Sequence, residues 1–336
     1  MKKLLLLYLV LIGTFLVYLY TAYIREDEGP IGRDSGLRGE MDQKYVMVNF
    51  LTGIDYWKNG LKGFEDAAEA LGVSVEYRGA TQYDVNEEVT VLEQVIARKP
   101  AGIAVSAINP EALNAAINKA VEAGIPVVMF DSDAPDSKAY SFLGTNNYNA
   151  GVTAARKMVE FTGTRGKLGV ITQPNQLNHQ ERTKGFQDTL RSEYPNLQLV
   201  SVEDGKGDQL VSEQKAAGMI AEYPDLKGIF VTEANGGVGV GNAVLSAGKL
   251  DQVRIISFDT DKRTLDMVKS GTIAATLAQG TWNMGYWSLM QLFLLRNELV
   301  EPMPNWRESN VPPLPTYVDT GITIVTKSNV DNYYAK

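Results

Sequence analysis

Residues 124–147 read GIPVVMFDSDAPDSKAYSFLGTNN, and this stretch decides the fold. An apolar run, VVMF, follows Gly-Ile-Pro and stops on Asp131. A run of that length, bounded by Pro and then by Asp, Ser and Pro, predicts a strand buried on both faces. Burial on both faces belongs to a parallel sheet with helices above and below it. Ligands of such sheets sit just beyond the carboxyl ends of the strands, which is where Asp131 stands. Phe142 and Leu143 then lead through Gly144 to Thr145, Asn146 and Asn147, with a helical pattern beginning at Tyr148. A carboxylate at one strand end and a polar crossover soon after it predict a cleft walled by two lobes.

The same alternation runs through the chain. YVMVNF (residues 45–50) predicts a strand, and Leu61, Phe64, Ala67, Ala68 and Leu71 then recur at helical spacing up to Gly72. VSVEY, GIAVSA, KLGVIT, LQLVSV, GIFVT, VRIISF and IAATLA repeat the strand signal, with helical runs between them. A long helical run, residues 284–297, precedes a Pro-rich stretch and a last strand, GITIV. Strand–helix units in series predict doubly wound parallel sheets. About ten units are too many for one sheet of the usual ~4–6 strands, so two similar α/β lobes are expected.

Bulk composition narrows the class. The 336 residues allow two domains of ordinary size beside a terminal segment. A net charge of −8 argues against a nucleic-acid partner, which would want a basic face. Cysteine is absent and histidine occurs once, at His179, which removes thiol catalysis, disulfides, and Cys- or His-rich metal sites. Lys2 and Lys3 precede an almost wholly apolar run, residues 4–24, long enough to cross a hydrocarbon core of ~30 Å. The flank after it, REDE, is mostly acidic, so the positive end is expected in the cytoplasm. The run closes on YLYTAYI, with tyrosines where a cleavage site needs small residues. Residues 1–24 therefore read as an uncleaved signal anchor, a transmembrane helix, and residues 25–43 as a linker to an extracytoplasmic body.

Strand ends collect polar and aromatic side chains. Asp55, Tyr56 and Trp57 follow the first strand; Asp131, Asn146, Glu233 with Asn235, Asp259 and Gln279 follow later ones. Acids and amides bind vicinal hydroxyls through paired hydrogen bonds, and an arginine such as Arg182 supplies a rigid fork of donors. The rings of Tyr56 and Trp57 can pack on the apolar face of a sugar. Singly, each has a plainer role: Asp131 as a loop cap, Tyr56 and Trp57 as core, Arg182 as a solvated helix charge, His179 as a loop residue. Their shared position at strand ends favours a site for a neutral polyhydroxylated solute. The glycine run at residues 236–241 misses the dinucleotide spacing, and no Gly-Lys-Ser/Thr phosphate loop occurs. Asp131 with Asp133, and Asp259 with Asp261, each share one loop with no nucleophile–base pair beside them. No catalytic residue, cofactor or metal ligand is expected.

From about Lys44 to Tyr333 the chain resembles the type I periplasmic binding proteins, in their ribose-binding-protein-like, sugar-binding branch. The matching pieces keep their order and spacing: NFLTGIDYWKNGLKGFEDAAEALG, GIPVVMFDSD, FLGTNNYNAG, ERTKGFQDTL, GIFVTEANGGVGVGNAV, IISFDTD, IAATLAQ and YVDTGITIVTKSNVDNYY. The resemblance implies two α/β lobes joined by a three-crossover hinge and closing on a ligand. Lobe 1 would comprise residues 44–145 with 281–309, and lobe 2 residues 146–280 with 310–333. It implies that Tyr56 and Trp57 supply the aromatics, Asp131 and Asp259 the acids, Arg182 and Gln279 the remaining polar contacts. Three departures stand out: Ser132 where an arginine often follows the acid, Ile54-Asp55 before the aromatics in place of Asn-Pro, and Glu233 with Asn235 in place of an Asn-Asp-Glu strand end. This shifted set of donors and acceptors leaves a monosaccharide as the expected ligand without singling out ribose. The implied function is an extracytoplasmic protein that captures a sugar for an ABC importer; the alternative is a sugar sensor signalling to a membrane histidine kinase. LacI-type regulators share the fold but open with a DNA-binding helix-turn-helix, where this chain carries its apolar segment.

Overall fold

Apolar side chains alternate along the central strands and fill a core on each face of two sheets. The computed structural model describes residues 2–19 and 36–334. In β1 (Lys44–Asn49), Val46 and Val48 enter one core while Tyr45 and Met47 enter the other. The strands β2 (Ser74–Gly79), β3 (Gly102–Val105), β4 (Val127–Phe130), β5 (Phe142–Gly144) and β11 (Tyr317–Asp319) complete a parallel sheet in the order β11-β5-β4-β3-β1-β2. The second sheet runs β12-β10-β9-β8-β6-β7, built from β6 (Gly166–Thr172), β7 (Leu197–Asp204), β8 (Leu226–Val231), β9 (Arg254–Phe258), β10 (Ala275–Gln279) and β12 (Ile322–Val325). Only β12, paired to β10, is antiparallel. Helices cover both faces of each sheet: α2 (Trp57–Leu71), α3 (Val85–Ala97), α4 (Pro110–Glu122) and α10 (Thr281–Arg296) on the first, α5 (Asn147–Thr162), α6 (Leu177–Glu193), α7 (Gln209–Glu222), α8 (Gly236–Ser246) and α9 (Lys262–Ser270) on the second. A single-turn helix, α11 (Trp306–Ser309), precedes β11.

The amino-terminal apolar run forms α1 (Lys2–Leu19), 18 residues long. Among the described residues no helix is long and apolar enough to cross a membrane. The transmembrane helix expected over residues 4–24 is thus not found there, and its last part, residues 20–24, lies outside the described residues with linker residues 25–35.

Three crossovers join the lobes, at residues 145–146, at Gly280 and at residues 320–321. They are laced together: the Thr320 N–H donates to the Gly144 carbonyl at 3.0 Å, and the Gly280 N–H to the Gly321 carbonyl at 3.3 Å. Asp319 Oδ1 accepts from the backbone N–H of Asn146 at 3.2 Å and of Gly321 at 2.9 Å. The expected boundary at residue 310 is corrected by β11. Residues 317–319 extend the first sheet, with Tyr317 stacked on Phe142 at 5.8 Å, so the chain changes lobe at residue 320. A three-residue strand after a run of prolines carries too short a pattern to be seen in sequence.

Helix pairs in both lobes touch through glycine, backbone to backbone. A Cβ on Gly285 of α10 would meet the Gly60 carbonyl oxygen of α2 at 1.8 Å. In the second lobe a Cβ on Gly185 of α6 would meet the Tyr148 oxygen of α5 at 2.0 Å, and one on Gly151 the Arg182 oxygen at 2.0 Å. Backbone cannot yield as a flexible side chain does, so these contacts fix where α6 lies. Gly185→Ala should therefore destabilise the protein by ~2 kcal/mol, within the usual range for overpacking. Gly218→Ala, in open space on α7, should instead raise stability by up to ~1 kcal/mol through helix propensity. Denaturant midpoints that move together for the two variants would show that the close approach is not a constraint.

Candidate functional site

The carboxyl ends of both sheets face one cleft, and the chain supplies an acid there from each lobe by the same turn. Asp131 follows β4 and Asp259 follows β9; both are left-handed, with φ of 60° and 66°. Each still continues the ladder through its N–H, Asp131 to the Leu143 carbonyl at 3.1 Å and Asp259 to that of Leu277 at 2.8 Å. Asp adopts this conformation more readily than most residues, and the turn tips each carboxylate off its strand. The space between them measures about 60 Å³. At the ~15 Å³ that one enclosed water needs, it holds about four waters, which suits a small solute and not an oligomer. A cavity of about 220 Å³ at the amino ends of the first sheet is lined instead by surface residues such as Glu76 and Arg98, paired at 3.1 Å.

Arg182 organises the second-lobe wall. It is 1% exposed, and its fork donates through Nε to Asn147 Oδ1 at 2.9 Å, through Nη1 to the Thr232 carbonyl at 2.8 Å, and through Nη2 to Gln279 Oε1 at 2.9 Å. Its guanidinium lies 3.9 Å from the centre of the Phe258 ring. Asp131 accepts hydrogen bonds from the Tyr56 hydroxyl and, at 3.0 Å, from the Ser106 hydroxyl. Gln279 Nε2 donates to Asp259 Oδ1 at 2.8 Å and to the Tyr56 hydroxyl at 3.1 Å, so the network crosses from lobe to lobe. Nearer the mouth, the Tyr83 hydroxyl of the first lobe donates to Gln173 Oε1 of the second at 3.0 Å.

Burial dominates the charge states. It pushes Asp259 up to about 7 against the opposing pull of Arg182, and Glu233 up to about 7 against the pull of the Asn235 and Gly236 backbone N–H groups. Asp131 is raised by burial too, although Tyr56, Arg182 and Ser106 hold it down. Burial and the nearby Arg182 charge together keep His179 neutral. His179 is not in a loop: it lies on α6, buried, with Nδ1 donating to the Thr232 carbonyl at 3.0 Å.

Seven of the ten expected residues line the cavity together: Tyr56, Asp131, Arg182, Glu233, Asn235, Asp259 and Gln279. The other three have different work. Asp55 is exposed and pairs with Lys58 at 2.7 Å. Trp57 is core: its indole N–H donates to the Leu51 carbonyl at 2.7 Å and its ring packs edge-on against Phe50 and Phe130. Asn146 caps α5, accepting from the Asn149 N–H at 3.0 Å, while its neighbour Asn147 reaches Arg182. Sequence reasoning missed Tyr83, Gln173, Gln176 and Asn178, all of which line the cavity. The strand-end rule, applied to the polar run QPNQLNH after β6, would have found the last three.

Residues 45–298 match the periplasmic binding protein domain, and the chain belongs to that family. Among solved structures it is similar to AraP, an arabinose-binding protein from Geobacillus stearothermophilus, with 65% identity, a TM-score of 0.78, and 88% of this chain and 100% of that one covered. It is also similar to a sugar-binding protein of a sugar ABC transporter from Bacillus halodurans, at 62% identity and a TM-score of 0.80, covering 87% of this chain and all of the other. A more distant likeness is to the XylFII-LytSN complex, at 27% identity and a TM-score of 0.75, covering 85% and 98% of the two chains.

The charge balance has a measurable consequence. The folded pKa of Asp259, about 7, lies above the ~3.9 of an unfolded aspartate, so its contribution is fully present below pH ~4 and lost as pH rises through 7. His179 contributes in the opposite sense, being lowered, so the wild-type profile alone is not diagnostic. Asp259→Asn removes the carboxyl and should gain in melting temperature relative to wild type, by several degrees, between pH 5 and pH 8. A difference that stays flat across that range would show that Asp259 is not buried as described.

Proposed function

We propose that this protein is an extracytoplasmic solute-binding protein that captures a monosaccharide between its lobes and delivers it to an ABC importer. The observation that carries the reading is the cleft: carboxylates from both lobes, one buried arginine fork and five side-chain amides around a space for one small molecule. Such a set matches the alternating donors and acceptors of sugar hydroxyls and offers no group poised for catalysis. Asp131, Asp259 and the Arg182 N–H groups beyond the three already bonded bind hydroxyls, Gln279 holds these side chains in place, Tyr56 lies against the ring, and Glu233 and Asn235 close the far wall. Lobe 1, residues 44–145 with 281–319, rotates on lobe 2, residues 146–280 with 321–333, and tighter ligand binding in the closed form shifts the population toward it. The importer then reads the closed surface. On the sequence alone, we also propose that the apolar run at residues 4–24, behind two lysines, holds the protein at the membrane with the body outside the cytoplasm.

A second reading, a sensor that passes closure to a membrane histidine kinase, is favoured by the likeness to the chain in the XylFII-LytSN complex. A fixed tether suits a fixed signalling partner. Retrieval of a permease with the native protein from membranes supports transport; retrieval of a kinase alone supports sensing.

Calorimetric titration of the full chain in detergent, against arabinose, xylose, ribose, galactose and a polyol, tests the binding function. One sugar should bind with a dissociation constant in the micromolar range or tighter, and Arg182→Lys, which cannot form the three-pronged fork, should weaken it at least tenfold. Silence of the wild type across the panel would refute the proposal.

A further inference from the structure

Of the three glutamines that line the cleft, two are used in opposite ways. Gln279 employs its whole hydrogen-bonding capacity: two bonds through Nε2, to Tyr56 and Asp259, and two through Oε1, from Thr145 and Arg182. Gln176 employs none of its own. It is 0% exposed, it lines the cavity, and neither Nε2 nor Oε1 has a hydrogen-bond partner among the described residues.

The helix does not explain this side chain. Gln176 is the N-cap of α6, where Ser, Thr, Asp or Asn would satisfy a free N–H, and it makes no side-chain capping bond. Its backbone is held all the same, the N–H donating to the Gln173 carbonyl at 3.3 Å and the carbonyl accepting from Gln180 at 3.1 Å. A buried amide without partners destabilises the free protein unless a bound molecule supplies them. Glu233 lines the same cavity and is held on one side only: Oε2 accepts from the Asn235 N–H at 2.6 Å, while the buried Oε1 has no hydrogen-bond partner among the described residues.

We infer that Gln176 is a ligand-binding and specificity-determining residue whose amide, together with Glu233, reads a pair of neighbouring hydroxyls on the bound sugar. The inference rests on the sugar-binding function proposed above. Neighbouring hydroxyls each donate and accept, and so complete one amide donor and two acceptors; an apolar ring face or a lone hydroxyl does not. The Gln279 amide is satisfied within the protein, whereas the Gln176 amide is not. The configuration of the hydroxyls at that amide therefore decides which sugar is kept.

The test compares wild type with Gln176→Met, which keeps the side-chain volume and removes the amide. Each full chain is titrated calorimetrically in detergent with arabinose, xylose, ribose and galactose, and melted without sugar. For the sugar that wild type prefers, Gln176→Met should bind at least tenfold more weakly and discriminate less between epimers. Its sugar-free melting temperature should rise, because the unpaired amide is gone; a merely structural role would make it fall. Unchanged affinity and unchanged discrimination overturn the inference while leaving the sugar-binding function intact. Absence of binding by wild type overturns both, so the two failures are distinct. Should Gln176→Met not fold, Gln176→Asn, which keeps the amide but withdraws it by one methylene, should weaken binding at least tenfold, and unchanged affinity there overturns the inference equally.

Discussion

The buried guanidinium of Arg182 is the interaction on which the cleft depends. A cation removed from water must be paired and hydrogen-bonded or it is strongly destabilising, and here it has three bonds, the face of Phe258, and carboxylates from both lobes within its field. Its position is inherited from packing. The carbonyl of Arg182 itself lies where a Cβ on Gly151 would sit, so the close approach of α5 and α6 brings the fork to Asn147. A larger residue at Gly151 or Gly185 would act on the site without touching it.

Around that cation the two lobes make the same contribution twice. Each sheet ends an inner strand on a left-handed aspartate whose N–H bonds to the neighbouring strand. One fold, used twice and set face to face, thus presents two converging carboxylates. With Glu233 they exceed the single guanidinium facing them, and burial answers by raising the pKa values of all three. This balance suits a neutral solute rich in hydroxyl donors, which can hydrogen-bond carboxylates without adding charge.

Much of this was legible in the sequence, for stated reasons. Strands buried on both faces announce themselves as unbroken apolar runs, so VVMF and GIFV located the sheets, and the residue ending each run located Asp131, Asp259 and Gln279. Positions on helices were read less well. Trp57 and Tyr56 are adjacent, yet a helix start turns one into the core and the other to the cleft. Asn146 and Asn147 divide cap from arginine ligand for the same reason. β11 escaped because its stability comes from Phe142, far back in the chain, and not from any local pattern.

Site and hinge are finally one structure, and Gln279 is where they meet. It ends β10, immediately before the crossover at Gly280. Its amide bonds two residues of the first lobe, Tyr56 and Thr145, and two of the second, Asp259 and Arg182. Thr145 itself stands at another crossover, whose Gly144 carbonyl accepts from Thr320 at the third. A rotation of the lobes that preserved the laced hinge would still have to break bonds at this one amide, because no planar group can follow two bodies at once. The polar contacts that face the cavity and the contacts that set the lobe angle therefore share atoms, and what satisfies the first constrains the second.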